Sequence, residues 1–188
     1  RNYAICLIQS QIESGILPKD QIYFLIGQYF EIFASQIDQE DDLTYFKTNI
    51  IQYASQSIES SELFENVFRL IISNLESQDV KLITTSIYFL GFLMLSCPSE
   101  FQEHESESLQ ILLQALQPST PPIIKFAALY LIQDVEDDFE MFPSVLCEPL
   151  LSIIFDSNRL TNPANEFFIE NVFNAFFSLM KISSFNNF

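Results

Sequence analysis

A spacing of 41 residues between apolar positions constrains the fold of this chain more than any other feature. Three sets of residues keep this spacing, and each set places one apolar side chain in each of three successive stretches. The sets are Phe68, Leu109 and Leu150; Ile71, Leu112 and Ile153; and Ile72, Leu113 and Ile154. Because positions three and four apart share one face of a helix, the three stretches are predicted to be equivalent helices.

A period of about 40 to 47 residues is typical of HEAT and armadillo arrays, in which each repeat is a pair of helices. The sequence therefore predicts an all-α fold, a right-handed α-solenoid of about four helical hairpins plus an opening half-repeat. We expect residues 1–188 to form a single array that is a fragment of a longer solenoid. Only 3 Gly, no Trp and 20 Phe also favour packed helices over a turn-rich sheet protein.

Apolar periodicity and turn residues between the stretches divide the chain into predicted helices. Glycine and proline mark several of the breaks, as at Gly15 with Pro18 and at Pro118 to Pro122. The predicted helices are Asn2–Ser14, Lys19–Asp38, Leu43–Ser60, Glu62–Leu75, Asp79–Pro98, Ser106–Leu116, Ile123–Asp134, Pro143–Phe155 and Asn165–Ile182.

The uncharged stretch Leu82 to Cys97 raises the question of a membrane span. It is short for a bilayer, it contains Thr84, Thr85 and Ser86, and Lys81 is its only basic flank. We therefore expect a buried inner helix and no membrane insertion.

The net charge of the chain indicates which classes of partner it can bind. A formal net charge of −17 repels phosphates and anionic lipid surfaces, so we expect no nucleic-acid binding and a basic protein partner instead. Cys6, Cys97 and Cys147 are odd in number and far apart in apolar stretches, which is typical of reduced core thiols in an intracellular protein.

Residues for catalysis or metal binding are scarce. His104 is the single histidine, and with Glu103 or Glu107 it would form only a weak metal site, so a solvated helix start is the simpler interpretation. The three isolated glycines build no phosphate loop, and no serine or cysteine sits in a nucleophile context. We predict that the chain is not an enzyme and holds no cofactor or metal.

Two acidic segments recur at matching repeat positions and are the candidate partner-binding residues. They are Glu100, Glu103, Glu105 and Glu107 in one segment and Glu136, Asp137, Asp138 and Glu140 in the next. Stacked repeats would bring them to one edge of the solenoid, where they would attract Lys/Arg-rich ligands. The alternative interpretation is a solubility rim on a chain rich in phenylalanine.

The last predicted helix is dense in phenylalanine and has two possible uses. Its residues are Phe167, Phe168, Phe173, Phe176 and Phe177. Most are expected in the core, and one or two exposed rings would make a shallow apolar groove for an aromatic peptide.

Three segments carry a resemblance to a known family. They are the run Lys125-Phe-Ala-Ala-Leu-Tyr-Leu, the run from Phe142 to Ile154, and the helix in which Glu170, Asn171, Val172, Ala175, Leu179, Lys181 and Ile182 match a Glu-Asn-Val…Ala…Leu-x-Lys-Ile pattern. Together they resemble the importin-β superfamily of nuclear transport receptors over Asp79 to Ile182. Lys81 and Lys125 stand where that family carries Arg, and Thr84-Thr85 depart from its small residues.

The resemblance implies a nuclear transport receptor segment that moves between cytoplasm and nucleus through the nuclear pore. It implies three partners: protein cargo with basic segments, the GTPase Ran in its GTP form, and Phe-Gly nucleoporins. The alternative hypothesis is a HEAT scaffold or adaptor subunit of a multiprotein complex with no transport role.

Overall fold

The computed structural model describes residues 7, 10–12, 14–37, 50–135, 139, 141–155 and 166–185. Within these residues the secondary structure is helix and turn, with no strand, so the predicted all-α class is confirmed. The helices are α1 Lys19–Gln36, α2 Ile50–Ala54, α3 Ser60–Leu75, α4 Val80–Ser96, α5 Pro98–Glu103, α6 Glu105–Ala115, α7 Pro122–Gln133, α8 Met141–Ile154 and α9 Glu166–Phe185.

The breaks between helices follow from local chemistry. Gly15 adopts a φ of 64°, a left-handed conformation that glycine reaches without steric cost, and it ends the preceding helical turn as predicted. The Asp79 carboxylate accepts the backbone N–H of Lys81 at 2.8 Å and caps α4. Pro122 occupies the first turn of α7, where a missing N–H costs nothing.

Two predicted boundaries differ from the structure by more than three residues. The helix expected to continue to Ser60 ends at Ala54, and Ser55 donates its hydroxyl to the Gln52 carbonyl, an interaction that competes with helix continuation. The acidic residues from Glu100 onward were expected to precede a helix, but Pro98–Glu103 forms the short helix α5. Proline at its first position and the buried Phe101 stabilise this turn.

The chain divides into two compact units, Arg1–Phe101 and Gln102–Phe188. In the first unit, α4 lies at the centre and packs against α1, α2 and α3. The core of this unit is aromatic: Phe89 is fully buried, and its ring centroid lies 4.5 Å from that of Phe30 and 6.0 Å from that of Tyr29. Phe33 completes the cluster, edge-on to Phe89 at 6.2 Å.

The hydroxyl residues of α4 lie inside this unit rather than on its surface. Thr84, Thr85 and Ser86 are all buried. Thr84 and Ser86 donate to the carbonyls of Val80 and Leu82 of their own helix, so they pack as small residues would. No described helix is long and apolar enough to span a bilayer.

In the second unit, both consecutive and alternate helices pack together. Helix α6 packs on α7 and α8, and α9 packs on α7 and α8. Phe139 and Phe142 are buried where α8 begins, with ring centroids 5.8 Å apart. Phe126 of α7 meets Phe168 of α9 edge-on at 5.3 Å, which joins the first turns of these two helices.

One of the three sets with the 41-residue spacing is buried throughout. Phe68, Leu109 and Leu150 lie on α3, α6 and α8, and all three are buried. The other two sets follow this pattern only in part. Ile71 and Leu112 are buried and Ile153 is half-buried, whereas Ile72 is exposed, Leu113 is half-buried and Ile154 is buried. The spacing therefore marks one inward-facing position in each of the three helices.

Candidate functional site

The four described residues of the first acidic segment occupy different environments. Glu100 is half-buried on α5 and lies in the first unit, whereas Glu103 at the end of α5 is exposed and lies in the second. Glu107 on the first turn of α6 is exposed, with 62% of its side chain accessible. Acidic side chains in a first helical turn are stabilised by the helix dipole, which accounts for this position without any ligand.

Glu105 differs from its neighbours because it is buried, with 7% of its surface accessible. Its carboxylate accepts the backbone N–H of Met141 at 3.0 Å. Met141 is the first residue of α8, and a helix leaves its first N–H groups without partners inside the helix. Glu105 therefore caps α8 from the start of α6, and this role is internal to the second unit.

His104 pairs with an acidic neighbour. Its Nδ1 atom lies 2.9 Å from a carboxylate oxygen of Glu107, three residues along the chain. In the described part of the chain, no three histidine, cysteine, aspartate or glutamate side chains come together as a metal site would require. The second acidic segment, Glu136, Asp137, Asp138 and Glu140, lies outside the described residues.

The phenylalanines of α9 divide between its two faces. Phe168 is buried and Phe176 is half-buried, while Phe173 is 38% exposed and Phe177 is 58% exposed. The Phe173 and Phe177 rings are stacked, with centroids 6.3 Å apart and planes 23° apart. Phe167 lies outside the residues whose side chains are described.

Met180, 45% exposed, continues this face one turn further along α9. We define Phe173, Phe177 and Met180 as the α9 stripe. The sequence predicts one or two exposed phenylalanines in this helix without indicating which ones. The three-and-four spacing from Phe173 to Met180 places these side chains on one face, and the packing of the neighbouring helices leaves that face partly exposed.

Two buried polar side chains of the second unit form hydrogen bonds that hold α7, one with the turn before it and one with α9. The Lys125 ammonium group is buried and donates to the Pro118 carbonyl at 3.0 Å, across the turn that precedes α7. Asn171 of α9 is also buried, and its side-chain carbonyl accepts from the Gln133 amide at 3.2 Å. Because an unpaired polar group inside the protein is costly, these bonds position α7 and α9.

Two of the three cysteines, Cys97 and Cys147, are among the described residues, and Cys6 lies outside them. Cys97 is buried, and burial raises the pKa of its thiol, although a hydrogen bond with Ser60 acts in the opposite direction. Burial also raises the pKa of the half-buried Cys147 thiol. Both shifts disfavour the reactive thiolate.

Comparisons of this chain with protein-family models, with curated proteins and with solved structures give no match.

Proposed function

We propose that this chain is a protein-binding module built as a right-handed solenoid of HEAT- or armadillo-type helical hairpins, about four with an opening half-repeat. The observation that carries this proposal is the burial of Phe68, Leu109 and Leu150 at one 41-residue spacing on α3, α6 and α8. The packing of α6 on α8 and of α7 on α9 supports it, since stacked hairpins bring alternate helices into contact.

The chemistry of the surface favours a basic partner. Glu103 and Glu107 are exposed near the start of α6, and the chain carries a formal net charge of −17. Such a charge accelerates encounter with a Lys/Arg-rich segment, and added salt weakens the attraction. The proposal assigns no catalytic step and no cofactor.

The narrower form of the proposal is a segment of a nuclear transport receptor. Basic cargo would bind along the acidic edge, and Ran in its GTP form would favour a curvature of the solenoid that cargo disfavours. Phe-Gly nucleoporins would be further partners, and the protein would act in the cytoplasm, the nucleus and the pore. This form rests on the resemblance within Glu170–Ile182 and on the acidic charge.

The second candidate is a scaffold or adaptor subunit without a transport role. One observation favours it: of the α9 residues that carry the resemblance, Val172, Ala175, Leu179 and Ile182 are buried in the helix packing. Any stacked helix needs apolar residues at such positions, so this likeness is compatible with many functions.

The binding proposal is tested with the immobilised 188-residue chain and a labelled Lys/Arg-rich peptide. We expect saturable binding that weakens as salt rises, and we expect the Glu103→Lys/Glu107→Lys variant to bind several-fold less tightly. The charge-matched control is Glu76→Lys/Glu148→Lys, at exposed positions outside this segment. Equal binding by all three proteins would remove Glu103 and Glu107 from the proposed interface.

The transport form needs its own measurement. Proteins captured from cell extract are compared with and without Ran locked in its GTP form. Release of basic proteins by Ran supports a transport receptor, whereas a fixed set of subunits that ignores Ran supports the scaffold.

A further inference from the structure

Helix α9 presents two apolar faces, one fully buried and one partly exposed. Val172, Ala175 and Leu179 are fully buried against the rest of the second unit. On the opposite side, the α9 stripe leaves parts of two stacked aromatic rings and a methionine in water. Exposed apolar groups at successive turns of one helix are typical of a helix-docking surface.

The α9 stripe has the spacing of a helix-pairing seam. Glu170, Phe173, Phe177 and Met180 follow one another at intervals of three, four and three residues, as the a and d positions of a heptad do. Glu170 and Lys181 are both exposed and lie near opposite ends of this seam. With a rise of 1.5 Å per residue, the acidic and basic ends are separated by roughly 16 Å along the axis.

The apolar and charged residues along this seam match those of a second α9 helix in one orientation. When two α9 helices lie antiparallel, Phe173 of one copy faces Phe177 of the other, and Glu170 comes beside Lys181 of the other copy. A parallel arrangement would place Glu170 beside Glu170 and Lys181 beside Lys181, and like charges in contact are unfavourable. An isologous two-fold contact of this kind closes on itself as a dimer.

We propose that the α9 stripe binds a second copy of this chain in antiparallel orientation, with the four stripe phenylalanines at the centre and a Glu170–Lys181 ion pair at each end. This inference concerns self-association, and it is independent of the proposed binding of a basic partner. A heterologous partner on the same stripe would have no reason to require both Glu170 and Lys181 of this chain.

The size of the stripe predicts a weak dimer. At about 200 Å² for a whole phenylalanine side chain, Phe173 and Phe177 together leave roughly 200 Å² exposed in each copy. Met180 and the flanks of the helix add to this area, but the total stays below the ~1,200 Å² of a stable specific interface. The net charge of −17 also repels a second copy, so we expect dissociation in the micromolar range and stronger dimerisation as salt rises to physiological strength.

The experiment is sedimentation velocity on the full 188-residue chain over a concentration series from about 1 to about 200 μM, a range that spans the expected dissociation constant. The weight-average mass should rise from 21.7 kDa toward twice that value. Phe177→Glu should abolish the rise, since it places a charge at the centre of the contact. The matched control Phe24→Glu introduces the same charge at an exposed ring of α1, in the first unit. This variant should dimerise as the unmodified chain does.

Charge reversal makes the test specific for a second copy. Glu170→Lys and Lys181→Glu should each weaken dimerisation several-fold, and the double variant Glu170→Lys/Lys181→Glu should restore it. Far-UV circular dichroism confirms that every variant is folded. The proposal is overturned if the unmodified chain stays at 21.7 kDa throughout, or if the double variant associates less than either single one. It is also overturned if Phe24→Glu disrupts association and Phe177→Glu does not, because another surface would then hold the dimer.

Discussion

Replacement of Glu105 tests whether its carboxylate stabilises the folded chain rather than binding a partner. In the folded chain it is buried and accepts the Met141 N–H at the start of α8. Hydrogen bonds to charged groups contribute about 1.5 to 3 kcal/mol, and the Glu105→Ala change also leaves the Met141 N–H without this acceptor. We therefore expect Glu105→Ala to lower the free energy of unfolding by about 2 to 3 kcal/mol.

Two further variants separate the cap from the charge. Glu105→Gln keeps a carbonyl acceptor but loses the charge, so we expect a loss of about 1 kcal/mol. Glu107→Ala removes an exposed acidic residue from the same helical turn and should cost only about 0.3 to 1 kcal/mol through the helix dipole. Chemical denaturation followed by far-UV circular dichroism measures all three, with the slope of each transition compared to exclude changes in cooperativity.

The reasoning is refuted if Glu105→Ala and Glu107→Ala have equal free energies of unfolding. Glu105 would then behave as a surface residue, and it would return to the set of candidate partner-binding carboxylates. If Glu105→Ala is destabilised as expected, weaker binding by that variant is attributed to the fold, and Glu103 and Glu107 are the residues with which to test the interface.

Three other perturbations have defined outcomes. Phe89→Ala should lower the free energy of unfolding by about 3 to 5 kcal/mol, because Phe89 lies fully buried among aromatic rings, while Phe24→Ala at an exposed ring should cost about 0.5 kcal/mol or less in the same denaturant titration. Burial raises the pKa of Tyr29 above the ordinary tyrosine value of about 10. Its neutral form therefore contributes stability that is fully present below pH 10 and is lost as pH rises beyond that value. Between about pH 10 and 11, the thermal midpoint of Tyr29→Phe should decline less than that of the unmodified chain. Asn171→Ala should cost about 1 to 2 kcal/mol, since it removes the side-chain acceptor of the partly buried Gln133 amide, and a thermal midpoint no lower than that of the exposed-site control Asn174→Ala on the same helix would contradict this role.

Helix positions were predictable from the sequence because the apolar periodicity and the turn residues between helices indicate similar boundaries. Helix α7, predicted as Ile123–Asp134, runs from Pro122 to Gln133, and α4, predicted as Asp79–Pro98, runs from Val80 to Ser96. The interior position of α4 also follows from its composition, because a helix that is apolar on all sides needs neighbours on all sides.

The role of Glu105 could not be predicted in the same way. A glutamate in a first helical turn is usually solvated, and nothing in the local sequence distinguishes Glu105 from Glu103 or Glu107. The distinction comes from α8, whose first N–H lies 36 residues further along the chain and meets the Glu105 carboxylate only when α6 and α8 pack together. The short helix α5 has a local signal, since proline is favoured at a first helical position, but the acidic residues from Glu100 onward were predicted to precede a helix rather than to belong to one.

The exposed phenylalanines of α9 were only partly predictable. The sequence shows which residues share a face of a helix, because residues three and four apart lie on the same side. Which face is covered depends on where the neighbouring helices lie. Phe168 and Phe177 are chemically identical, and the packing of α7 and α8 against α9 decides that the first is buried and the second exposed.

The aromatic core of the first unit also provides an optical label. The chain has 7 tyrosines and no tryptophan, and Tyr130 is the only tyrosine in the sequence of the second unit. Tyrosine fluorescence and near-UV circular dichroism therefore report chiefly on the first unit, where Tyr29 lies fully buried beside Phe89. Far-UV circular dichroism records helices from both units. When the chain is unfolded, coincident transitions in the two signals would mean that the units melt as one cooperative block, and separated transitions would give the stability of each unit without cutting the chain.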